Sequence, residues 1–142
     1  MKLSRLLILS LASIFVSCSA KQRPIQEGAD ACAFCKMTVM EKKYATEIVS
    51  VTGKVFVFDD AHCMQSFLEK NMIQRDDVKL ILLTDYNNPE NLLSIDQVVL
   101  FTSEQLKTPM NGQVIALSDT NALNVLLESM AGRSIPVHDW LP

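Results

Sequence analysis

The sequence lacks the residue patterns that mark most enzymes. Its 2 histidines and 4 glycines form neither a Ser/His/Asp set nor a glycine-rich phosphate loop, and no paired-carboxylate motif stands out. Since none of these catalytic arrangements is present, the chain offers no support for catalysis. We therefore predict that the protein is not an enzyme.

Positive charge is also scarce. The chain carries 13 basic and 16 acidic residues, and its formal net charge is −3. Loss of residues 1–17, which include Lys2 and Arg5, would make the net charge −5. An acidic protein of this kind is a poor ligand for phosphate backbones. We predict no nucleic-acid partner.

The chain has no N-terminal apolar run long enough to span a membrane. The run from Leu6 to Val16 is about half of the ~20 residues that a membrane-spanning helix needs. Two basic residues precede it and small residues follow it, which is the layout of a secretory signal peptide. Residues 1–17 are therefore predicted to be a cleaved signal.

The end of this signal, "FVSC" at residues 15–18, resembles the lipobox of bacterial lipoproteins. That resemblance implies that Cys18 is acylated and anchors the protein to a membrane, because two or more acyl chains hold a protein stably. Residues 18–30 are polar and aperiodic, so we predict a tether. The domain would follow at residues 31–142, in the cell envelope and facing the periplasm.

Two segments of the domain resemble each other at an offset of 59 residues. "GKVFVFDDAHCMQSFLE" (53–69) aligns with "GQVIALSDTNALNVLLE" (112–128), with five identical positions. Each segment reads as a turn, a strand, an N-cap and a helix. An alternating strand precedes each turn, and a further strand follows each helix, the second at "SIPVHDWL".

This pattern predicts an α+β fold built from two similar ββαβ halves that share one core. The halves are expected at about residues 31–84 and 95–142. Residues 85–94, "DYNNPENLLS", are predicted to be a polar connector between them.

Cysteine is the residue type that calls for a chemical explanation. Without Cys18, three cysteines remain, Cys32, Cys35 and Cys63, and an odd number leaves at least one thiol unpaired. The C-x-x-C pair at 32 and 35 could form a disulfide, with Cys63 buried as a small apolar residue. A redox role is less favoured, since a hairpin and not a helix follows the pair.

A metal site is the alternative use of these thiols. Zinc could be held by Cys32, Cys35, His62 and Cys63, although adjacent residues at a helix start point about 100° apart. Copper(I) explains more of the stretch, because Cys35 and Met37 project from the same face of extended chain. Copper(I) prefers thiolate and thioether ligands. Cys32, Cys63 and His62 remain further candidates.

With these residues in view, the chain resembles the NosL family of nitrous oxide reductase accessory proteins, which are lipoprotein copper chaperones. The resemblance lies in the lipobox, in "CAFCKM" as C-x-x-C-x-M, in "VFDD" before a helix, and in "TPMNG" followed by "VIALSDTNAL". The family's fold is two similar ββαβ halves. Lys36 and Asn111 stand where we expect glycine.

The resemblance implies that copper(I) is held by Cys35, Met37 and Met110. It also implies that the recipient is nitrous oxide reductase or a membrane assembly complex that serves it. Two other functions stay open on the residues alone. One is an envelope thiol-disulfide protein that uses Cys32 and Cys35, and the other is a lipoprotein with a structural disulfide or zinc ion.

Overall fold

The computed structural model describes residues 21–142. The predicted signal peptide and Cys18 lie outside the described residues. Within residues 21–142 the chain forms seven strands and three α-helices: β1 Thr46–Ser50, β2 Val55–Phe58, α1 Ala61–Glu69, β3 Val78–Asp85, β4 Asn88–Ser94, β5 Val99–Thr102, β6 Val114–Leu117, α2 Thr120–Ser129, β7 Arg133–Ile135 and α3 Val137–Trp140. Short 3-10 turns occur at Lys42–Tyr44 and Arg75–Asp77.

β1 and β2 form the hairpin that the alternating sequence predicts. They pair antiparallel from Thr46↔Phe58 to Val49↔Val55. The turn between them includes Gly53 at a φ of 86°, a left-handed conformation that glycine adopts without a steric penalty. The predicted hairpin is confirmed.

Aspartates begin the two longer helices. The side chain of Asp60 accepts a hydrogen bond from the backbone N–H of Cys63, and Asp119 accepts one from Ala122. Each bond satisfies an N–H group that the first helical turn leaves without a partner. The predicted helix starts are confirmed, with Asp60 and not Asp59 as the cap of α1.

The strands form one mixed sheet. Its order is β2-β1-β3-β6-β5-β7, and β4 pairs with β3 off this path. All pairs are antiparallel except β3 with β6, which meet in parallel at Asp85↔Ala116. A sheet of this kind with helices packed on it confirms the α+β class.

The predicted polar connector is wrong in its structure. Most of residues 85–94 form β4, which folds back on β3 with Leu82↔Ser94 and Thr84↔Leu92 as partners. A tight turn after Asp85 allows this return, and the side chain of Asp85 accepts a hydrogen bond from the backbone N–H of Asn87 there. The half-buried Leu92 then packs on the sheet, which a solvent-exposed connector would not allow.

The last predicted strand is also only partly correct. β7 ends at Ile135, and Pro136 follows at a φ of −61°. Proline lacks the N–H that a strand ladder needs, so the strand stops there. Residues 137–140 turn into the short helix α3, whose Trp140 is 6% exposed and packs in the same core cluster as α1.

The predicted duplication is not confirmed. The strand orders β2-β1-β3 and β6-β5-β7 are alike, but β4 has no counterpart after β7. The two helices also differ in burial: α1 buries six residues, while every residue of α2 keeps some exposure. The two ββαβ halves therefore remain a prediction, while the mixed sheet itself is established.

Both faces of the β1–β2 hairpin are covered. Phe58 packs under α1 against Phe67, with ring centroids 5.1 Å apart. Val57, on the opposite face, belongs to one buried cluster with Ile25 and Val39, which precede β1. Ile25 is 3% exposed, so the second part of the predicted tether packs against the domain.

An ion pair also joins two residues within this N-terminal segment. The Arg23 guanidinium donates to both carboxylate oxygens of Asp30 at 2.8 Å, a bidentate geometry that is stronger than a single contact. Among residues 21–142, no helix is both long enough and apolar enough to cross a membrane.

Candidate metal centre

The C-x-x-C pair lies on a tight loop before β1. The backbone N–H of Cys32 donates to the Met37 carbonyl at 2.8 Å, and the N–H of Lys36 donates to the Cys32 carbonyl at 3.1 Å. Lys36 completes the turn at a φ of 68°, which is the left-handed region that favours glycine. This conformation explains why glycine was expected at that position.

The loop is fastened to the sheet and to α1. The backbone N–H of Ala33 donates to the Val57 carbonyl of β2 at 2.7 Å. Cys63 lies in the first turn of α1, which begins directly after β2 and its two aspartates. The hairpin and the helix therefore bring Cys63 to the loop that carries Cys32 and Cys35.

The three thiols form one cluster. The Sγ atoms of Cys32, Cys35 and Cys63 all lie within 4.8 Å of one another, and all three cysteines are free thiols. With metal–sulfur bonds of about 2.3 Å, three sulfurs around one ion lie about 4 Å apart. The cluster could therefore hold an ion after a contraction of less than about 1 Å.

The cluster is open on one side. Cys32 is 1% exposed and Cys63 is fully buried, whereas Cys35 is half-buried at the edge of the same core cluster. An ion held by the three sulfurs would be reached from the side of Cys35. This is the geometry of a binding site open to exchange, since a purely structural site is closed.

Hydrogen bonding separates the acidities of the thiols. The Cys63 thiol donates to Cys32 and lowers the pKa of Cys32 to about 5, although burial opposes this. The same bond raises the pKa of Cys63. Burial raises the pKa of Cys35. The apo cluster therefore favours one thiolate, at Cys32, held between two thiols.

A second segment, residues 108–113, here called the Met110 segment, packs against the start of α1. The Oδ2 atom of Asp60 accepts hydrogen bonds from the Thr108 hydroxyl at 2.8 Å, the Met110 backbone N–H at 3.0 Å and the Gly112 backbone N–H at 3.1 Å. Met110 is half-buried and packs against the core cluster that contains the cysteines. Asn111, the second position where glycine is expected, has a φ of 56°, which is also in the left-handed region.

Met37 and His62 lie at the surface. Met37 is 57% exposed. The prediction that Cys35 and Met37 share one face of extended chain is wrong, because Cys35 lies in a turn and Lys36 between the two residues is left-handed. His62 is exposed, and its Nε2 lies 3.5 Å from the Ser66 hydroxyl. Within the described part of the chain, His62 is not part of the cluster. The divergence of adjacent residues at a helix start explains why Cys63 points inward and His62 outward.

Two parts of this centre were underestimated from the sequence. Cys63 was only a secondary candidate, but its Sγ atom lies within 4.8 Å of the Sγ atom of Cys35. Asp60, seen only as a helix cap, also holds the Met110 segment. One sequence signal pointed to Cys63: it stands three residues after an aspartate that caps a helix, and that aspartate follows a buried strand. No local pattern links Asp60 to Met110, fifty residues later.

Comparisons with known proteins identify the fold and the family. The fold is similar to the crystal structure of the copper chaperone NosL from Shewanella denitrificans, with a TM-score of 0.68 and 17% sequence identity, over 81% of this chain and 92% of that chain. No curated protein sequence matches the chain. The NosL family model matches residues 24–140. Because that match spans most of its length, the chain belongs to the NosL family.

Proposed function

We propose that the protein is a copper(I) chaperone of the cell envelope, which binds the ion at Cys32, Cys35 and Cys63 with help from Met37 and Met110. The observation that carries this proposal is the cluster of three thiols within 4.8 Å, buried on two sides and open at the third. The ion is the cargo of the protein, to be bound and then released.

The donor set favours copper(I) over zinc. Thiolates bind both ions, but thioethers are soft ligands that copper(I) accepts and zinc binds poorly. Two methionines flank the cluster: Met37 is joined to Cys35 through a single residue, and Met110 packs on the same core cluster. Zinc would instead require a fourth hard or borderline ligand, and the outward position of His62 does not supply one.

The burial of the thiols suggests the order of exchange. Cys32 and Cys63 are inaccessible from solvent, so an incoming ligand from a recipient would approach at Cys35 and the two methionines. Weakly bound thioethers would leave first and the buried sulfurs last. Binding of the ion displaces the remaining thiol protons, so affinity should rise with pH.

Location and recipient rest on the sequence and the family. The signal layout and the lipobox-like "FVSC" support a lipid anchor at Cys18 and a position facing the periplasm. Membership of the NosL family supports delivery of copper for the maturation of nitrous oxide reductase, either directly or through a membrane assembly complex. Neither role requires catalysis by this chain.

A thiol-disulfide protein is the second candidate. Three neighbouring thiols with one of lowered pKa could exchange disulfides. However, that thiol, Cys32, is 1% exposed, whereas an attacking thiolate must be accessible to its substrate. This burial favours the metal-binding function.

The test is an anaerobic copper(I) titration of the reduced, detergent-solubilised protein against a chromophoric chelator. We expect one tight ion per chain, at least tenfold weaker binding in Cys32→Ser, Cys35→Ser and Cys63→Ser, and weaker binding in Met37→Leu/Met110→Leu. Zinc titration is the matched control, since the methionine variant should bind zinc as the wild type does. Copper binding indifferent to all of these changes would contradict the proposal.

A further inference from the structure

We propose that Asp60 is a positioning residue for copper binding: it holds the Met110 segment against the start of α1, so that the Met110 thioether reaches the three-thiol cluster. This inference rests on the proposed function and adds to it a residue that is not itself a ligand.

Both oxygens of the Asp60 carboxylate are used. Oδ1 accepts from the backbone N–H of Cys63 at 3.1 Å, and Oδ2 accepts from three donors of the Met110 segment at 2.8 to 3.1 Å. Asp60 is fully buried. One side chain thus joins the backbone of a cluster cysteine to the backbone of Met110, across fifty residues of sequence.

The site requires a carboxylate and no other side chain. Three donors converge on Oδ2, and a carboxylate oxygen offers only acceptor sites. An asparagine would keep one acceptor for Cys63 but would have to place either its oxygen or its NH₂ group toward the Met110 segment. In the orientation that preserves the cap, the NH₂ group would face three other donors and repel them.

The Met110 segment has a strained backbone, which contacts from outside the segment must stabilise. Asn111 and Gln113 both adopt positive φ angles, 56° and 53°, which are costly for residues other than glycine. Within the segment, the Asn111 backbone N–H donates to the Thr108 carbonyl at 3.0 Å, and the Gln113 N–H donates to the Thr108 hydroxyl at 3.2 Å. The segment is attached to α1 through the Thr108, Met110 and Gly112 bonds to Asp60.

Asp119 provides the matched comparison. It caps α2 through the same bond, from the Ala122 backbone N–H to its Oδ1 at 2.9 Å. Asp119 is exposed, and Ala122 stands where α1 has Cys63. The Asp→Asn change at Asp119 therefore keeps a helix cap and touches neither a methionine segment nor a thiol, so it controls for the substitution itself.

The first measurement uses the apo protein and needs no metal. Amide hydrogen exchange should be compared for wild type, Asp60→Asn and Asp119→Asn. We expect the Met110 and Gly112 amides to exchange at least tenfold faster in Asp60→Asn and at the wild-type rate in Asp119→Asn. Unchanged exchange at both amides in Asp60→Asn would overturn the proposal.

The second measurement is copper(I) affinity in a double-mutant cycle. We expect Asp60→Asn and Met110→Leu each to weaken binding about tenfold, which corresponds to about 1.4 kcal/mol, and the double variant to be no weaker than Met110→Leu alone. Asp119→Asn should bind as the wild type does. Additive losses would overturn the proposal, because Asp60 would then act on the cluster by another route.

Failure of the proposed function gives a different result. If the wild type binds copper(I) tightly and Met110→Leu does so equally, the positioning role is overturned while the chaperone proposal stands. If the wild type does not bind, both are overturned. Should Asp60→Asn fail to fold, Thr108→Val decides: an affinity loss that disappears in the Met110→Leu background supports the role, and an unchanged affinity overturns it.

Discussion

Gly112 lies so close to His62 that a Cβ atom added at position 112 would be 2.9 Å from the His62 backbone nitrogen and 3.0 Å from Asp60 Oδ2. The absence of a side chain at position 112 lets the Met110 segment lie against the first turn of α1. It also makes the contact between the two segments sensitive to a single methyl group.

Gly112→Ala should therefore separate the Met110 segment from the cluster. We expect the free energy of unfolding to fall by about 1–3 kcal/mol, the usual effect of overpacking, and copper(I) affinity to fall as well. Urea unfolding and chelator competition measure the two effects. The control is Gly132→Ala, whose Cβ would clash with the Phe101 ring away from the cysteines. It should lower stability and leave copper(I) affinity unchanged. Equal affinity losses in both variants would contradict the prediction.

Lys36→Gly should stabilise the fold. Lys36 has a φ of 68°, and a left-handed conformation costs a non-glycine residue about 1–2 kcal/mol. Glycine removes that strain but adds about 0.5–1 kcal/mol of chain entropy to the unfolded state. We expect a net gain of about 0.5–1 kcal/mol in urea unfolding.

Asn111→Gly is the internal comparison for Lys36→Gly. Asn111 has a similar φ of 56°, but asparagine tolerates this region better than lysine does. The gain should therefore be smaller at Asn111. A larger gain at Asn111 than at Lys36 would show that backbone strain is not the reason.

Glu47 should make stability fall as pH rises. It is fully buried in β1, its Oε2 has no hydrogen-bond partner, and burial raises its pKa to about 7. The unfolded chain releases this proton near pH 4.3. Between about pH 4.5 and 7 the folded state therefore holds more protons than the unfolded state, and stability decreases through that window.

Glu47→Gln should remove this dependence. We expect the variant to match the wild type near pH 4 and to be more stable by up to about 3 kcal/mol at pH 8. Urea unfolding at both pH values measures the difference. Glu104→Gln, a change at an exposed site, is the control and should alter neither value. A Glu47→Gln variant less stable than the wild type at pH 8 would refute the prediction.

Thiol labelling should report the open side of the cluster. Cys35 is half-buried, while Cys32 and Cys63 are 1% and 0% exposed. In the reduced apo protein we expect a maleimide to modify Cys35 first, even though Cys32 has the lower pKa, because burial blocks access. Copper(I) should protect Cys35. Mass spectrometry of peptides identifies the site, and first labelling at Cys32 would contradict the proposed approach of the recipient.

Local patterns predicted much of the fold. The alternation around Gly53 predicted the β1–β2 hairpin, and the capping aspartates predicted the starts of α1 and α2. The two errors have different causes, because the strand β4 pairs with its neighbour β3 across a two-residue turn, whereas the helix α3 packs in the core cluster of α1, which is distant in the chain. β4 begins with Asn-Pro-Glu-Asn, residues that are rare in strands, so its sequence resembles a loop. The packing of Trp140 with α1 has no local pattern at all.

The candidate metal centre was likewise predictable only where its features are local in the sequence. Local chemistry predicted Cys35 and Met37 as soft ligands two residues apart and left Cys63 as a secondary candidate. Lys36 and Asn111 have positive φ angles at the two positions where glycine was expected. The sequence did not predict which parts of the fold these two turns contact.

By itself the sequence determined the ligand chemistry, because thiols and thioethers are properties of side chains, and it determined the elements whose periodicity and caps are local. The tertiary structure decided which of these groups meet. Cys63 joins Cys32 and Cys35 only because β2 leads into α1 beside the loop. The backbone of Met110 is joined to α1 by a hydrogen bond to the buried Asp60 carboxylate, across fifty residues of sequence.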